Sequence, residues 1–258
     1  MTRQLRALGL RTLTSVGHLG GIATFVGDIA RHTVRPPLRF RRLLGEIFDI
    51  GVLSLVIVCL SGLTVGAVLG LQGYTTLSRF GAENSLGAVV GLVLVRELGP
   101  VLTALLVTGR AGSAMAAEIA SMVTTEQLDG LRMMSVHPVD FVIAPKALAM
   151  LIVMPLLNAL FIVFAFFGGY LIGVKLLGLD GGVYLTSMEE SITFSDDVGG
   201  TLVKSLVFGA LVAFIATYRG YIAEPTSAGV SAATTQTVVI ASVAILIFDY
   251  VITAVWGV

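Results

Sequence analysis

The sequence predicts an all-α integral membrane protein, and two observations indicate this class: its composition and its long apolar runs. Of its 258 residues, 56% are hydrophobic and only 12% are Asp, Glu, Lys or Arg, and the mean hydropathy is +0.96. Because soluble domains carry about 25% charged residues, this composition excludes a water-soluble enzyme. The 16 basic and 16 acidic residues balance, which argues against nucleic-acid binding, since that function usually needs a basic excess.

Five runs are long and apolar enough to cross a bilayer as helices, which takes about 20 residues each. They cover residues 50–71, 86–109, 141–174, 202–218 and 237–255. The third run is longer than one upright helix, so we expect it to be tilted, or bent at Pro145 or Pro155. No linker long enough to divide the chain is present, and residues 1–258 are interpreted as one domain.

The segment before the first run carries eight arginines, half of the basic residues of the chain. Because Lys and Arg concentrate on the cytoplasmic side of membranes, the N-terminus is predicted to be cytoplasmic, and five spans then place the C-terminus outside. Apolar residues recur roughly every three or four positions within residues 1–45, which indicates an amphipathic helix on the inner membrane surface. A flexible basic tail is the alternative. The acid-rich stretch 175–197 is interpreted as an outer loop.

Glycines are spaced for close helix packing. Gly62, Gly66 and Gly70 repeat every four residues along one face of the first span. Small residues at this spacing allow two helix backbones to approach each other closely in lipid. The spacing leaves open whether the partner helix belongs to the same chain or to another.

Arg96, Glu97, Lys204 and Asp249 are charged residues that fall well inside the predicted spans. A lone charge at the bilayer centre costs about 2.5–3.5 kcal/mol on insertion scales, so we expect these groups to cluster between spans 2, 4 and 5. They either line or gate a substrate pathway, or form an ionic network that fixes helix packing. A proton relay is a weaker third alternative. The spans are otherwise poor in polar groups, which favours a lipid or another hydrophobic substrate over sugars or ions.

The stretch between spans 2 and 3 predicts a short amphipathic helix on the cytoplasmic side. Thr124 and Gln127 fit a capping box, and Pro138 is expected to end the helix. Leu128, Leu131 and Met134 then share one apolar face, which suits either docking into a partner or folding back against the membrane. The sequence contains no phosphate-binding loop, catalytic motif or metal-ligand cluster, so any ATP hydrolysis belongs to another subunit.

Residues 96–106 (RELGPVLTALL), continuing through 109–114 and 118–120 to 125–129 (TEQLD), closely resemble the MlaE/YrbE family of ABC transporter permeases. The resemblance implies a non-catalytic subunit in the inner membrane of a Gram-negative bacterium. Such a permease moves glycerophospholipids between the inner and outer membranes and so maintains the lipid asymmetry of the outer membrane. Two open alternatives are a gradient-coupled secondary carrier of a hydrophobic solute and a membrane scaffold that transports nothing.

The resemblance also implies partners and sites. The expected assembly is a homodimer with an MlaF-like ATPase that binds ATP and Mg, an MlaB-like STAS protein and a hexameric MlaD-like MCE ring; no cofactor is expected in this chain. The short cytoplasmic helix becomes the coupling helix that meets the ATPase, and its residues are Glu126, Gln127, Leu128, Asp129, Leu131 and Met134. The outer end of span 1 becomes the candidate lipid cavity, with Leu71, Gln72 and Tyr74.

Overall fold

A computed structural model describes Gly27 and residues 40–256, and the regular structure within them is helical. Five segments of the described residues are long and apolar enough to cross a membrane, as predicted from the composition. They are Phe40–Phe80, Glu83–Thr124, Val139–Leu176, Phe194–Tyr221 and Ser227–Val255. We refer to them as spans 1 to 5.

The α-helices are numbered in chain order within the described residues: α1 Phe40–Ile50, α2 Leu55–Leu77, α3 Leu86–Val93, α4 Gly99–Val107, α5 Ser113–Thr124, α6 Gln127–Met133, α7 Ala144–Tyr170, α8 Gly181–Ser191, α9 Gly199–Tyr221 and α10 Ser227–Trp256. Wider π-helical turns at Leu94–Leu98 and Thr108–Gly112 join α3, α4 and α5 into span 2. Further π-helical turns flank α7 at Val139–Ile143 and Leu171–Leu176 and precede α9 at Phe194–Val198. Such turns are rare and are frequently found at functional sites.

The helix α1 is the described part of the predicted N-terminal amphipathic segment. Most of residues 1–45 lies outside the described residues. Leu43 and Ile50 face the core, whereas Phe40, Leu44 and Phe48 are exposed at a spacing of four residues, so α1 presents one face to the protein and an apolar face outward.

The glycines of span 1 pack against span 3 of the same chain, which answers the question that their spacing left open. A methyl group added to Gly62 would lie 2.6 Å from the Phe161 carbonyl oxygen. Gly66 meets the backbone of Ala165 in the same way. Hydrogen side chains therefore let the backbones of α2 and α7 touch.

Span 3 contains both of the prolines proposed as bends. Pro145 stands in the first turn of α7, directly after the π-helical turn Val139–Ile143, so its N–H is missing from within a continuous helical segment. Pro155 lies inside α7 and removes one backbone hydrogen bond there. Both prolines therefore lie inside the helical segment Val139–Leu176.

The acid-rich stretch between spans 3 and 4 contains the helix α8. Asp180 caps it by accepting a 2.9 Å hydrogen bond from the Val183 N–H. Tyr184 of α8 is buried, and its ring packs edge to face against that of Tyr170, with ring centroids 5.9 Å apart. Its hydroxyl has no hydrogen-bond partner, and burial raises the pKa of Tyr184 to about 12.

Span 4 starts earlier than predicted. Its helical structure begins at Phe194 rather than at residue 202. Asp197, which was assigned to the outer loop, is therefore part of a spanning segment. The polar run 193–197 lowered the local hydropathy and hid the first turns of the helix.

Span 4 lies in the middle of the helix bundle. Gly209 allows its backbone to approach Met154 of span 3, and Gly220 allows it to approach Ile119 of span 2. Spans 1 and 5 are the least buried of the five. The inward faces of spans 2, 4 and 5 meet near the N-terminal end of span 4, where the candidate site lies.

Candidate functional site

The centre of the site is Lys204, which is only 5% exposed. Its ammonium donates hydrogen bonds to the Arg96 carbonyl oxygen at 2.8 Å, to Glu97 Oε2 at 3.1 Å and to Thr253 Oγ1 at 2.8 Å. Asp249 Oδ1 forms an ion pair with the same nitrogen at 3.1 Å. The structure thus brings together Glu97, Lys204 and Asp249, from spans 2, 4 and 5.

The Arg96 carbonyl is available to Lys204 because of Pro100. In a helix this carbonyl would accept from the N–H four residues later, but proline has none. The π-helical turn Leu94–Leu98 immediately precedes this proline. Lys204 supplies the missing donor, so the Gly99-Pro100 pair creates a backbone ligand for the buried lysine.

The cluster has one more negative charge than positive charge when all its groups are ionised. The three protons of the ammonium are used by Arg96, Glu97 and Thr253. Asp249 Oδ1, which is buried, therefore has no hydrogen bond of its own, and only the ion pair holds it. The Thr253 hydroxyl completes the network by donating to Glu97 Oε1 at 3.2 Å.

All four charges were expected to cluster, but the Arg96 side chain does not contact the other three. Its Nε donates to Asp197 Oδ1 at 2.6 Å, and Asp197 Oδ2 accepts from the Thr193 N–H at 2.7 Å. Successive side chains on a helix diverge, so Arg96 and Glu97 reach different partners. A signal for Asp197 did exist in the sequence, because it precedes Lys204 by seven residues and so shares its helix face.

A small pocket beside the cluster is lined by Arg96, Glu97, Asp196, Asp197, Lys204 and Thr253, together with the apolar side chain of Ile252 and with Gly200 and Thr201. Arg96 uses Nε for Asp197, and a guanidinium carries four further N–H donors that suit a phosphate. Glu97 is partly exposed and can accept from a cationic group. The pocket therefore offers binding groups of both signs beside an apolar wall.

The cavity candidates of span 1 lie apart from this cluster, on the helix that packs against span 3. Leu71 and Gln72 are exposed, whereas Tyr74 is half-buried and packs against the core. All three belong to α2, since that helix continues beyond the predicted end of the run.

The short helix predicted between spans 2 and 3 is present as α6, but its start was wrongly explained. Thr124 is the last residue of α5, and its hydroxyl donates to the Ala120 carbonyl oxygen at 2.9 Å. It therefore cannot cap α6. That helix follows Glu126, which takes the left-handed backbone conformation with φ 56°, so a sharp turn replaces the predicted capping box.

The end and the apolar face of α6 also differ from expectation. The helix ends at Met133, before Ser135 at φ 59°, so Pro138 is not its terminator. Leu128 is buried against the chain, Leu131 is partly buried, and Met134 lies exposed beyond the helix end. One side of α6 therefore packs on its own chain.

Within the described part of the chain, the other side of α6 is exposed and open to a partner. It carries Glu126, Gln127, Asp129 and Met133, which are exposed. Arg132 fastens α6 to the end of span 4, because it donates to Asp129 Oδ1 at 2.7 Å and to the Tyr221 hydroxyl at 2.5 Å. The hydrogen bond to Tyr221 thus connects α6 to the helix that carries Lys204.

Comparison with known proteins connects this arrangement to a family. The sequence profile of the family described as "Permease MlaE" matches residues 43–255. The chain is 46% identical to the intermembrane phospholipid transport system permease protein MlaE of Haemophilus influenzae over 97% of its length and 96% of that relative. It is 41% identical to a probable ABC transporter permease protein of Rickettsia typhi over 95% of both chains.

A more distant relative comes from a plant. The chain is 29% identical to the chloroplastic protein TRIGALACTOSYLDIACYLGLYCEROL 1 of Arabidopsis thaliana, over 90% of its own length and 66% of that protein. The similarity therefore covers nearly all of the chain in every one of these proteins.

Proposed function

The chain belongs to the MlaE permease family, and from this premise we propose that it is the permease subunit of an ABC transporter that moves glycerophospholipids between the inner and outer bacterial membranes. The observation that carries the proposal is the 46% identity, over 97% of the chain, to a permease named for intermembrane phospholipid transport. This transport maintains the lipid asymmetry of the outer membrane.

The chemistry of the charge cluster supports a lipid as the substrate. A phospholipid needs donors for its phosphate and, where its head group carries an ammonium, an acceptor beside it. Arg96 provides the N–H donors that its contact with Asp197 leaves, Glu97 provides a carboxylate, and Ile252 provides an apolar surface. The spans otherwise expose large apolar side chains such as Leu60, Val243 and Leu246, which suit acyl chains and other helices better than they suit water.

The assembly is proposed to be a homodimer with an ATPase, a STAS protein and a hexameric MCE ring that resemble MlaF, MlaB and MlaD. We propose that ATP and Mg bind to the ATPase, and we propose no cofactor for this chain. The slight burial of spans 1 and 5 supports an interface between two copies there. In such a dimer Leu71, Gln72 and Tyr74 would line the lipid cavity between the subunits.

The proposed topology places the N-terminus and α6 in the cytoplasm of an inner-membrane protein, and α8 and the C-terminus in the periplasm. ATP-driven closure of the ATPase dimer would push on the exposed side of α6. The Arg132–Tyr221 hydrogen bond would carry that movement into span 4, and Lys204 would then shift relative to Glu97 and Asp249. The lipid cavity would open to alternating sides in this cycle.

A tag on this chain provides the first test. We expect an ATPase to be purified with it, and we expect the complex in liposomes to transfer labelled phospholipid only when ATP is present. Isolated protein that transports on an ion gradient would instead identify a secondary carrier. Absence of both lipid binding and transport would identify a scaffold.

The docking surface is tested by the double variant Glu126→Lys with Met133→Asp, both at exposed positions. Both residues belong to the α6 region, so we expect the variant to insert into the membrane and to lose the ATPase. Lys175→Met, which changes an exposed residue at the opposite end of span 3, is the matched control and should keep it. Normal ATPase association in the double variant would show that α6 is not the coupling helix.

A further inference from the structure

A second buried lysine connects three helices near the N-terminal end of span 3, which is the end that follows α6 in the chain. Lys146 of α7 is only 3% exposed. Its ammonium donates to Glu46 Oε2 of α1 at 2.8 Å and to Glu118 Oε2 of α5 at 2.7 Å. We call these residues, Lys146 with Glu46 and Glu118, the inner triad.

The inner triad is costly to build, which argues that it does more than fill space. Taking a charge out of water costs several kcal/mol unless good geometry and hydrogen bonds compensate. Here both carboxylates approach one nitrogen within 2.8 Å. Because neither α1 nor α5 can move away from α7 without breaking such a bond, the triad fixes the positions of three helices relative to each other.

Two further contacts fasten α1 at the same level. Arg110 of span 2 donates to the Asp49 carbonyl oxygen at the C-terminus of α1 and to the Ser54 hydroxyl at 3.2 Å. The guanidinium of Arg42 lies 4.0 Å from the centre of the Phe141 ring, at the start of span 3. The helix α1 is therefore tied to spans 2 and 3 by charged groups along its length.

The place of Glu118 in the chain gives the inner triad its meaning. Glu118 lies on α5, and only Thr125 and Glu126 separate α5 from α6. A push on α6 therefore acts directly on the helix that carries Glu118. We infer that Lys146 is a positioning residue for transport, which makes α1 and span 3 move with α5 as one body when the ATPase acts.

This inference rests on the proposed function, since it concerns how ATP hydrolysis is converted into lipid movement. It differs from the role of the Lys204 cluster. Lys204 lies at the proposed substrate pocket. The inner triad lies next to the proposed ATPase contact, and its Glu118 follows Glu97 of the pocket by 21 residues along span 2.

The variant Glu118→Gln tests the inference with little risk to folding. Glu118 is 55% exposed and Glu46 remains to neutralise Lys146. In the intact complex we expect normal assembly and normal ATP hydrolysis, but roughly 2- to 30-fold fewer lipids transferred per ATP, the range typical of residues that modulate coupling between sites. Lys146→Met should lower the same ratio, and the control Lys175→Met should leave it unchanged.

An unchanged ratio in Glu118→Gln would overturn the inference. A proportional loss of complex, ATP hydrolysis and transport would overturn it too, because that pattern belongs to a purely structural contact.

A distance measurement separates this inference from the proposed function. Cys59 is the only cysteine of the chain, so Cys59→Ala gives a cysteine-free background. In it, spin labels are attached through Leu44→Cys of α1 and Ser121→Cys of α5, both at exposed positions. In homodimers that carry the labels on one of their two copies, we expect one narrow distance that stays the same with and without ATP, and a broadened distance after Glu118→Gln. A wild-type distance that changes with ATP would refute the one-body movement. Failure of the wild-type complex to move phospholipid, with this distance behaviour intact, would refute only the proposed substrate.

Discussion

Replacing Lys204 with methionine should strongly destabilise the permease. The ammonium has four partners within 3.1 Å, and methionine supplies no donor to any of them. Glu97 and Asp249 would be left as two carboxylates close together, and the Arg96 carbonyl would lose the donor that replaces the missing N–H of Pro100. Removing one partner of a buried ion pair typically costs about 3–5 kcal/mol.

That free energy is large enough to measure in a thermal unfolding experiment. For chains of roughly this size, 1 kcal/mol shifts the melting temperature by about 2–4 °C, so Lys204→Met should lower it by about 6–20 °C in the purified complex. Lys175→Met alters an exposed lysine and should change it by no more than about 2 °C, because surface substitutions stay within about 0.5 kcal/mol.

A triple variant separates the cost of the leftover charges from the value of the lysine. Lys204→Met with Glu97→Gln and Asp249→Asn removes all three charges, and we expect it to recover most of the lost melting temperature. If the charges gate transport, the triple variant stays inactive although it is stable; if they only fix packing, transport returns with stability. A single variant as stable as the wild type would refute the argument from burial.

Three other predictions follow from the packing. Gly66→Ala should cost at least about 1–3 kcal/mol by overpacking α2 against the Ala165 backbone, whereas Gly109→Ala, which meets nothing within 4 Å, should be neutral or slightly stabilising; thermal unfolding distinguishes them. Tyr184→Phe should preserve or raise stability by about 1 kcal/mol, because the hydroxyl is buried without a partner. Wild-type stability should also fall as the pH rises from 10.0 to about 12, since the unfolded chain releases the phenol proton first, and a pH series should show that this fall is smaller in Tyr184→Phe. Tyr221→Phe removes the hydroxyl that accepts from Arg132 and should speed amide hydrogen exchange in residues 127–133 without changing it in α10.

Most of the fold was predictable because the membrane imposes it. A bilayer leaves no water for backbone groups, so an apolar run of sufficient length must be a helix. The five spans followed from that constraint, whereas the short helix between spans 2 and 3 followed from its amphipathic pattern. The limits of the helices did not, since Asp197 and Thr193 satisfy each other through a side-chain bond and allow span 4 to start in a polar stretch.

The candidate site was predictable in membership but not in pairing. Glu97, Lys204 and Asp249 stand out because a charge in a span needs a partner, and few charges are available. The partners of Lys204 that hydropathy cannot reveal are the Arg96 carbonyl and Thr253. Hydropathy also missed Asp197 and the inner triad. Their residues lie near the ends of spans, where a charged residue is ordinary and predicts no buried partner.

The sequence by itself determined that the chain spans a membrane, how often it does so and which charges must be sheltered there, because these follow from the local cost of exposing polar groups to lipid. Only the tertiary structure decided that Gly62 and Gly66 meet span 3, that Arg96 turns to Asp197, and that Lys146 ties α1 to α5. Such choices depend on which faces of distant helices come together, and the free energy of that packing is shared among residues far apart in the chain.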